Sequence, residues 1–200
     1  GRRKNKTGIC FFNSFNLSRK PGHKHHSVCF TDLSVIADVS VNMNSVRCFT
    51  ETPDGSIYIG TTGDLCKIDR NRELHVLDAG VKYVSSMVSC EEGIVGCSNE
   101  GELFFLQEDR VKETRSKDTP GAYYTCISQT PDGILVGTSV NEIEIISIKD
   151  NRIHMEGYRS VMPLSGICDI LEDRTGKLWI AAENGCGYIG SKGLEVVKIQ

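Results

Sequence analysis

The chain has 200 residues, 39% of them hydrophobic and 24% charged, with a formal net charge of -3. That composition suits one or two globular domains with a proper core and excludes a disordered or collagen-like chain. No stretch approaches the roughly 20 apolar residues of a membrane helix, so no membrane contact by this segment is expected, and with no charged-then-apolar leader an export signal is expected upstream or not at all.

Residues 1–26 hold seven Lys or Arg and no acid, which leaves 16 basic against 26 acidic residues for the rest, a net of -10. This basic head comes with no aromatic platform and no recognition helix, so it reads as a solvated surface segment, and no nucleic-acid partner is expected. His23, His25 and His26 cluster within it. Imidazoles can hold zinc or copper, but the neighbours here are lysines and no Cys, Asp or Glu shares the loop, so no metal is assigned. Thr7–Ser14 parallels Asp54–Thr61, and Val28-Cys29-Phe30 would then be an outer strand. Residues 1–45 are therefore expected to form a basic N-terminal segment with a partial blade.

From Val46 the chain repeats itself. Four segments start at Val46, Val84, Tyr124 and Ile167, and their turn glycines, Gly55, Gly93, Gly133 and Gly176, are spaced by 38, 40 and 43 residues. A period near 40 suits propeller blades or helical solenoids. The inner pattern decides between them. Each repeat has four short runs rich in Ile, Val, Tyr and Phe, bounded by turns such as Pro53-Asp54-Gly55 and Pro131-Asp132-Gly133. Such runs are strands joined as hairpins, and no window shows helical periodicity. Four strands per unit make one blade. The expected fold is an all-β propeller of four-stranded antiparallel blades, about five with the first incomplete, and either a fragment of a larger propeller or an imperfectly closed ring. The four full blades are expected at about 46–83, 84–123, 124–166 and 167–200. Gly60, Gly96, Gly137 and Ala181 each close a second strand, where small residues suit crowded blade stacking, and Trp179 reads as a wedge between blades.

Nine cysteines are scattered without CxxC spacing. They read mostly as free thiols used as small hydrophobes, in a reducing compartment or an anaerobic habitat, with a bridge or two left open. Gly185-Cys186-Gly187-Tyr188-Ile189-Gly190 matches GxGxxG but lacks the following helix and the later acid, so it is read as a strand loop without a cofactor. His75 and His154 stand alone in strand contexts. No nucleophile elbow, HExxH or phosphate loop occurs. The chain is read as no enzyme and as binding no cofactor. A streptogramin-lyase-like propeller enzyme would need a His–Glu pair facing across the central opening, and the sequence places none.

The run Ile167-Cys168-Asp169-Ile170-Leu171-Glu172-Asp173-Arg174-Thr175-Gly176-Lys177-Leu178-Trp179-Ile180-Ala181-Ala182 resembles the two-component regulator propeller repeat. Shorter copies end in Ile59-Gly60-Thr61 and Val136-Gly137-Thr138. The resemblance implies a sensor propeller of a bacterial signalling receptor, extracytoplasmic and coupled to an output domain, although the free cysteines keep a cytoplasmic location open. Propeller ligands usually meet the loops between strands four and one and between strands two and three. Those loops hold Lys82, Tyr83, Tyr123, Tyr124, Asn141 and Asn184. Tyrosines suit a small molecule, a glycan or a peptide. The rival reading is a structural scaffold that pairs as a homodimer through its terminal strands.

Overall fold

The computed structural model describes residues 46–190 and 193–197. The basic head and the partial blade expected within residues 1–45 lie outside the described residues. Blade 1 holds β1 (Val46–Glu51), β2 (Ile57–Thr61), β3 (Leu65–Ile68) and β4 (Leu74–Leu77). Blade 2 holds β5 (Val84–Ser89), β6 (Ile94–Ser98), β7 (Glu102–Gln107) and β8 (Arg110–Ser116). Blade 3 holds β9 (Tyr124–Thr130), β10 (Gly133–Thr138), β11 (Glu142–Lys149) and β12 (Arg152–Ser160). Blade 4 holds β13 (Ile167–Glu172), β14 (Leu178–Ala182), β15 (Gly185–Gly190) and β16 (Gly193–Val197). Each sheet is antiparallel and takes its strands in chain order; none borrows a strand from another.

The turns explain the hairpins. In blade 1 the Gly55 N–H donates to the Thr52 carbonyl at 2.8 Å, and the Thr52 N–H to the Ser56 carbonyl at 2.9 Å. Blade 4 repeats this turn with Asp173, Gly176 and Lys177. Both turns need a positive φ, 83° at Gly55 and 77° at Gly176, which glycine alone adopts without strain. Blades 2 and 3 use tighter turns, in which Cys90 and Thr130 face Gly93 and Gly133 directly.

All four first strands share one irregularity. The pairing skips a residue at Arg47, Ser85, Thr125 and Cys168, so each blade carries a bulge at the same place. This aligns the blades residue by residue: Gly60, Cys97, Gly137 and Ala181 are equivalent, as are Tyr58, Val95, Leu135 and Trp179.

The core lies in three seams between successive blades. Tyr58, Leu65, Val84, Ile94 and Phe104 fill seam 1–2. Val95, Phe105, Tyr124, Ile134 and Ile153 fill seam 2–3. Leu135, Ile143, Ile167, Leu178 and Ile180 fill seam 3–4. Strand alternation does this. Neighbours such as Ile94 and Val95, or Phe104 and Phe105, point to opposite seams, so blades 2 and 3 are apolar on both faces. Each buried side chain of this size contributes about 1.5–3 kcal/mol.

A Cβ on Gly60 would fall 2.5 Å from Cys48 Sγ and 2.9 Å from Val84 of the next blade. One on Gly137 would fall 2.5 Å from Cys126 Sγ and 2.8 Å from Ile167. The crowding expected after the second strand is therefore present at these two glycines. Gly96 is crowded too, but by its own blade: it points to the opposite face, where a Cβ would meet the Phe104 ring at 2.2 Å, and Cys97 holds the position equivalent to Gly60 and Gly137. Trp179 lies between Leu178 and Ile180, which face blade 3, so it points to the other face of blade 4, the face on which its equivalents Tyr58, Val95 and Leu135 meet the next blade; among the described residues no blade packs over it. Its Nε1–H donates to Asp173 at 2.8 Å, and its ring tilts against Tyr188 at 5.0 Å. Gly185–Gly190 is strand β15 itself, where a strand loop was expected.

Candidate functional site

The loop from each fourth strand to the next first strand reaches one end of the blades. There it meets the loop between strands two and three. The Asn99 N–H donates to the Tyr83 carbonyl, that of Ser139 to Tyr123, and that of Glu183 to Gly166, each at 2.9 Å. Tyr83, Tyr123 and Gly166 are therefore equivalent positions in blades 2, 3 and 4. Tyr83 is 44% exposed and Tyr123 45%. Lys82 beside Tyr83 is exposed too. Tyr123 lies against Gly101 of blade 2, where a Cβ would come within 2.8 Å of the tyrosine Cβ.

The backbone of Tyr83 is unusual. Its φ is 53°, close to the 64° of Gly166 at the same place in blade 4. A bulky side chain in the left-handed region costs about 1–2 kcal/mol. Strain of this kind clusters where a side chain has a task.

The other three residues expected at this end are engaged by the protein. Tyr124 is buried and its hydroxyl donates to Glu144 Oε2 at 3.2 Å. The Asn141 amide donates to the Leu164 carbonyl at 2.6 Å. Asn184 donates to the Pro163 carbonyl and accepts from the Ser165 N–H. The two asparagines thus pin the connection into blade 4, and Tyr124 belongs to seam 2–3.

Two polar clusters cross the seams. In the first, Lys67 of blade 1 pairs with Asp109 of blade 2 at 2.8 Å, and the Tyr58 hydroxyl donates to the same carboxylate. Burial, then the bond to Asp109, pushes the Tyr58 phenol up to about 12. In the second, Lys117 after β8 pairs with Glu142 at 3.2 Å and with Glu144. Its side chain is only 8% exposed and that of Glu144 7%. Burial disfavours the ammonium, yet the bonds and charges of Glu144 and Glu142 together outweigh it and raise the Lys117 pKa.

Asp69, Glu73 and His75 place three possible metal-ligand atoms within 4.8 Å of one another on the hairpin between β3 and β4. Asp69 accepts the N–H groups of Asn71 and Glu73 and lies 3.1 Å from His75 Nε2. His75 is thus not alone, as the sequence suggested; the hairpin register folds it back onto Asp69. Its spacing of six from an aspartate across a short turn was the available signal. His23, His25 and His26 lie outside the described residues. Burial raises the Cys48 thiol to about 12 and the Cys97 thiol to about 11, so both are poor nucleophiles. Cys168 is the exposed thiol among the described residues.

Four-stranded blades joined by apolar seams define a β-propeller, and the comparisons agree. Residues 40–63 match the family described as two component regulator propeller. The match takes in β1 and β2 of blade 1, whose Ile59-Gly60-Thr61 is one of the copies that carried the resemblance. No curated protein sequence matches. Among solved structures, the extracellular domain assigned to a one component system of B. thetaiotaomicron superposes with a TM-score of 0.61 at 14% identity, over 78% of this chain and 22% of that one. The corresponding domain assigned to a hybrid two component system of the same organism gives 0.61 and 16%, over 77% and 23%. Virginiamycin B lyase from Staphylococcus aureus gives 0.64 and 17%, over 80% and 58%. At these identities the likeness shows the fold, and the chain spans about a fifth to three-fifths of those structures.

Proposed function

We propose that this chain is part of a non-catalytic sensor propeller of a bacterial signalling receptor. It recognises a small molecule, glycan or peptide, or a protein partner, outside the cytoplasm, and passes the bound state to an attached output domain. Support comes from the two component regulator propeller match and from the extracellular domains that share the fold. The observation that carries the binding surface is Tyr83, held exposed in a left-handed conformation where blade 4 has a glycine, with Tyr123 exposed at the equivalent position of the next blade. Lys82 supplies a cation at the same end.

The test is a glycan and peptide array screen of the 200-residue chain, repeated with Tyr83→Gly and with Tyr83→Gly/Tyr123→Ala. Tyr83→Gly relieves strain, so thermal stability is expected to hold or rise while binding falls. Array hits that survive the double substitution unchanged would sink the assignment of this face.

A second reading is a homodimeric scaffold. It draws on Leu171, exposed beside Trp179 on the outer face of blade 4. A dimer in light scattering that Trp179→Asp makes monomeric would favour it. The lyase neighbours lend weight to an enzyme, but His75 sits on an exposed hairpin bonded to Asp69, so we do not read it as a catalytic base.

A further inference from the structure

A cleft of about 370 Å³ opens between blades 3 and 4, away from the tyrosines. That volume is within the range of small-molecule sites. Its floor is apolar, made by Leu135, Ile145 and Leu178, and its rim carries Asp132, Arg159 and Glu172. Arg159 pairs across β12 and β11 with Ile143, a residue of seam 3–4, so it stands on the face of blade 3 turned toward blade 4. Glu172 comes from the end of β13 on the opposite wall.

Asp132 and Arg159 are exposed and Glu172 is half-buried, and none of the three has an ion-pair partner among the described residues. Arg159 forms no ion pair with either carboxylate, or with any other acid among the described residues. Asp132 is notable by comparison with Asp54. Both follow Thr-Pro and precede Gly. Asp54 is engaged by its own turn, accepting from Thr52 Oγ1 at 2.6 Å, the Ser56 N–H at 3.1 Å and Ser56 Oγ at 3.1 Å. Blade 3 lacks the equivalent of Ser56, because its strand resumes at Gly133 and Ile134. The shorter turn frees the Asp132 carboxylate to face the cleft.

A cation on one side and a pair of anions on the other, around an apolar floor, suit a ligand that carries one charge of each sign on an apolar body. We propose that this cleft binds a free α-amino acid with an apolar side chain. Its carboxylate would be held by Arg159, its ammonium by Asp132 and Glu172, and its side chain by Leu135, Ile145 and Leu178. A guanidinium and a carboxylate are well matched in geometry. A purely anionic ligand would face two like charges, and a neutral sugar would leave all three charges without a counterpart.

The test is ligand-observed NMR with L-leucine on the whole chain, with 3-methylbutylamine and 4-methylpentanoate as analogues that each lack one charged group. Leucine is expected to bind with a dissociation constant of about 1 mM or tighter, and each analogue about tenfold more weakly. Arg159→Gln and Asp132→Asn should each weaken leucine about tenfold with unchanged circular dichroism. Tyr83→Ala should leave leucine binding unaltered, which separates this site from the tyrosine face. The proposal is overturned by no leucine signal at about 10 mM, by equal binding of the amine analogue, or by leucine affinity that Arg159→Gln leaves intact.

Discussion

Seams 2–3 and 3–4 join blades of the same register, yet different things cross them. Seam 2–3 buries Phe105 and Tyr124, and polar bonds reinforce it. The Ile127 N–H donates to Ser86 Oγ at 3.1 Å, the Ile153 N–H donates to Glu113, and Lys117 reaches Glu142 and Glu144. Seam 3–4 is built from smaller aliphatic side chains, and among the described residues no ion pair crosses it. Its rim charges face a cleft instead. The contrast separates two uses of one interface: a fully satisfied polar network fixes two blades, while unpaired charges at the neighbouring seam leave room for a ligand.

The largest expected effect tests the hydrophobic side of that contrast. Phe105→Ala should cost about 3–5 kcal/mol in chemical denaturation, and Leu178→Ala at seam 3–4 about 2–3. Equal losses would mean the two seams are equally packed. Next is the buried ion cluster. Lys117→Met leaves Glu144 without its cation and should cost about 3 kcal/mol, whereas Lys117→Met with Glu144→Leu should recover most of that loss. If the double variant were no better than the single one, the cluster would be a stabilising device in its own right.

Gly137→Ala presses a methyl group onto Cys126 and Ile167 and should cost about 1–3 kcal/mol. Gly157→Ala on β12 meets nothing within 4 Å and should be neutral or stabilising by up to about 1 kcal/mol. A smaller effect comes from pH. The Cys97 thiol titrates near 11 in the folded chain and near 9 unfolded. Its contribution is complete below pH 9 and is lost as pH rises toward 11, because the unfolded chain ionises first. Stability should therefore fall across that window. If seam 3–4 opens more readily, Cys126 on that seam should be alkylated before Cys97 on seam 2–3 at pH 9. The reverse order would invert the comparison. The smallest expected difference is Asp54→Asn, which loosens its turn by about 0.5–1.5 kcal/mol, against Asp132→Asn, which leaves stability alone.

Much of the fold was legible in the chain. Gly55 and Gly176 mark turns that only a positive φ closes, and alternating apolar runs between them read as strands. The seam glycines were half legible. Gly60 and Gly137 end their second strands as expected, but Gly96 sits one residue early. A bulge in each first strand and the shortened turn before β6 set the register, and neither leaves a mark in composition. For the candidate site, Tyr83 and Tyr123 were named on loop position alone. Nothing in the sequence separated them from Tyr124, the next residue along, because exposure alternates along an extended chain and the strand register decides which side is out. Likewise, Asp54 and Asp132 share a motif and differ only in the residue that follows its glycine.

The sequence by itself determined four-stranded blades with a period near 40, because hydrophobic alternation and turn chemistry are local and repeat with the chain. The tertiary structure alone decided which face of each blade meets which neighbour, which tyrosine is exposed, and which charges go unpaired. Those depend on register and on contacts between residues some forty positions apart, where one inserted or missing residue turns a side chain from one seam to the other.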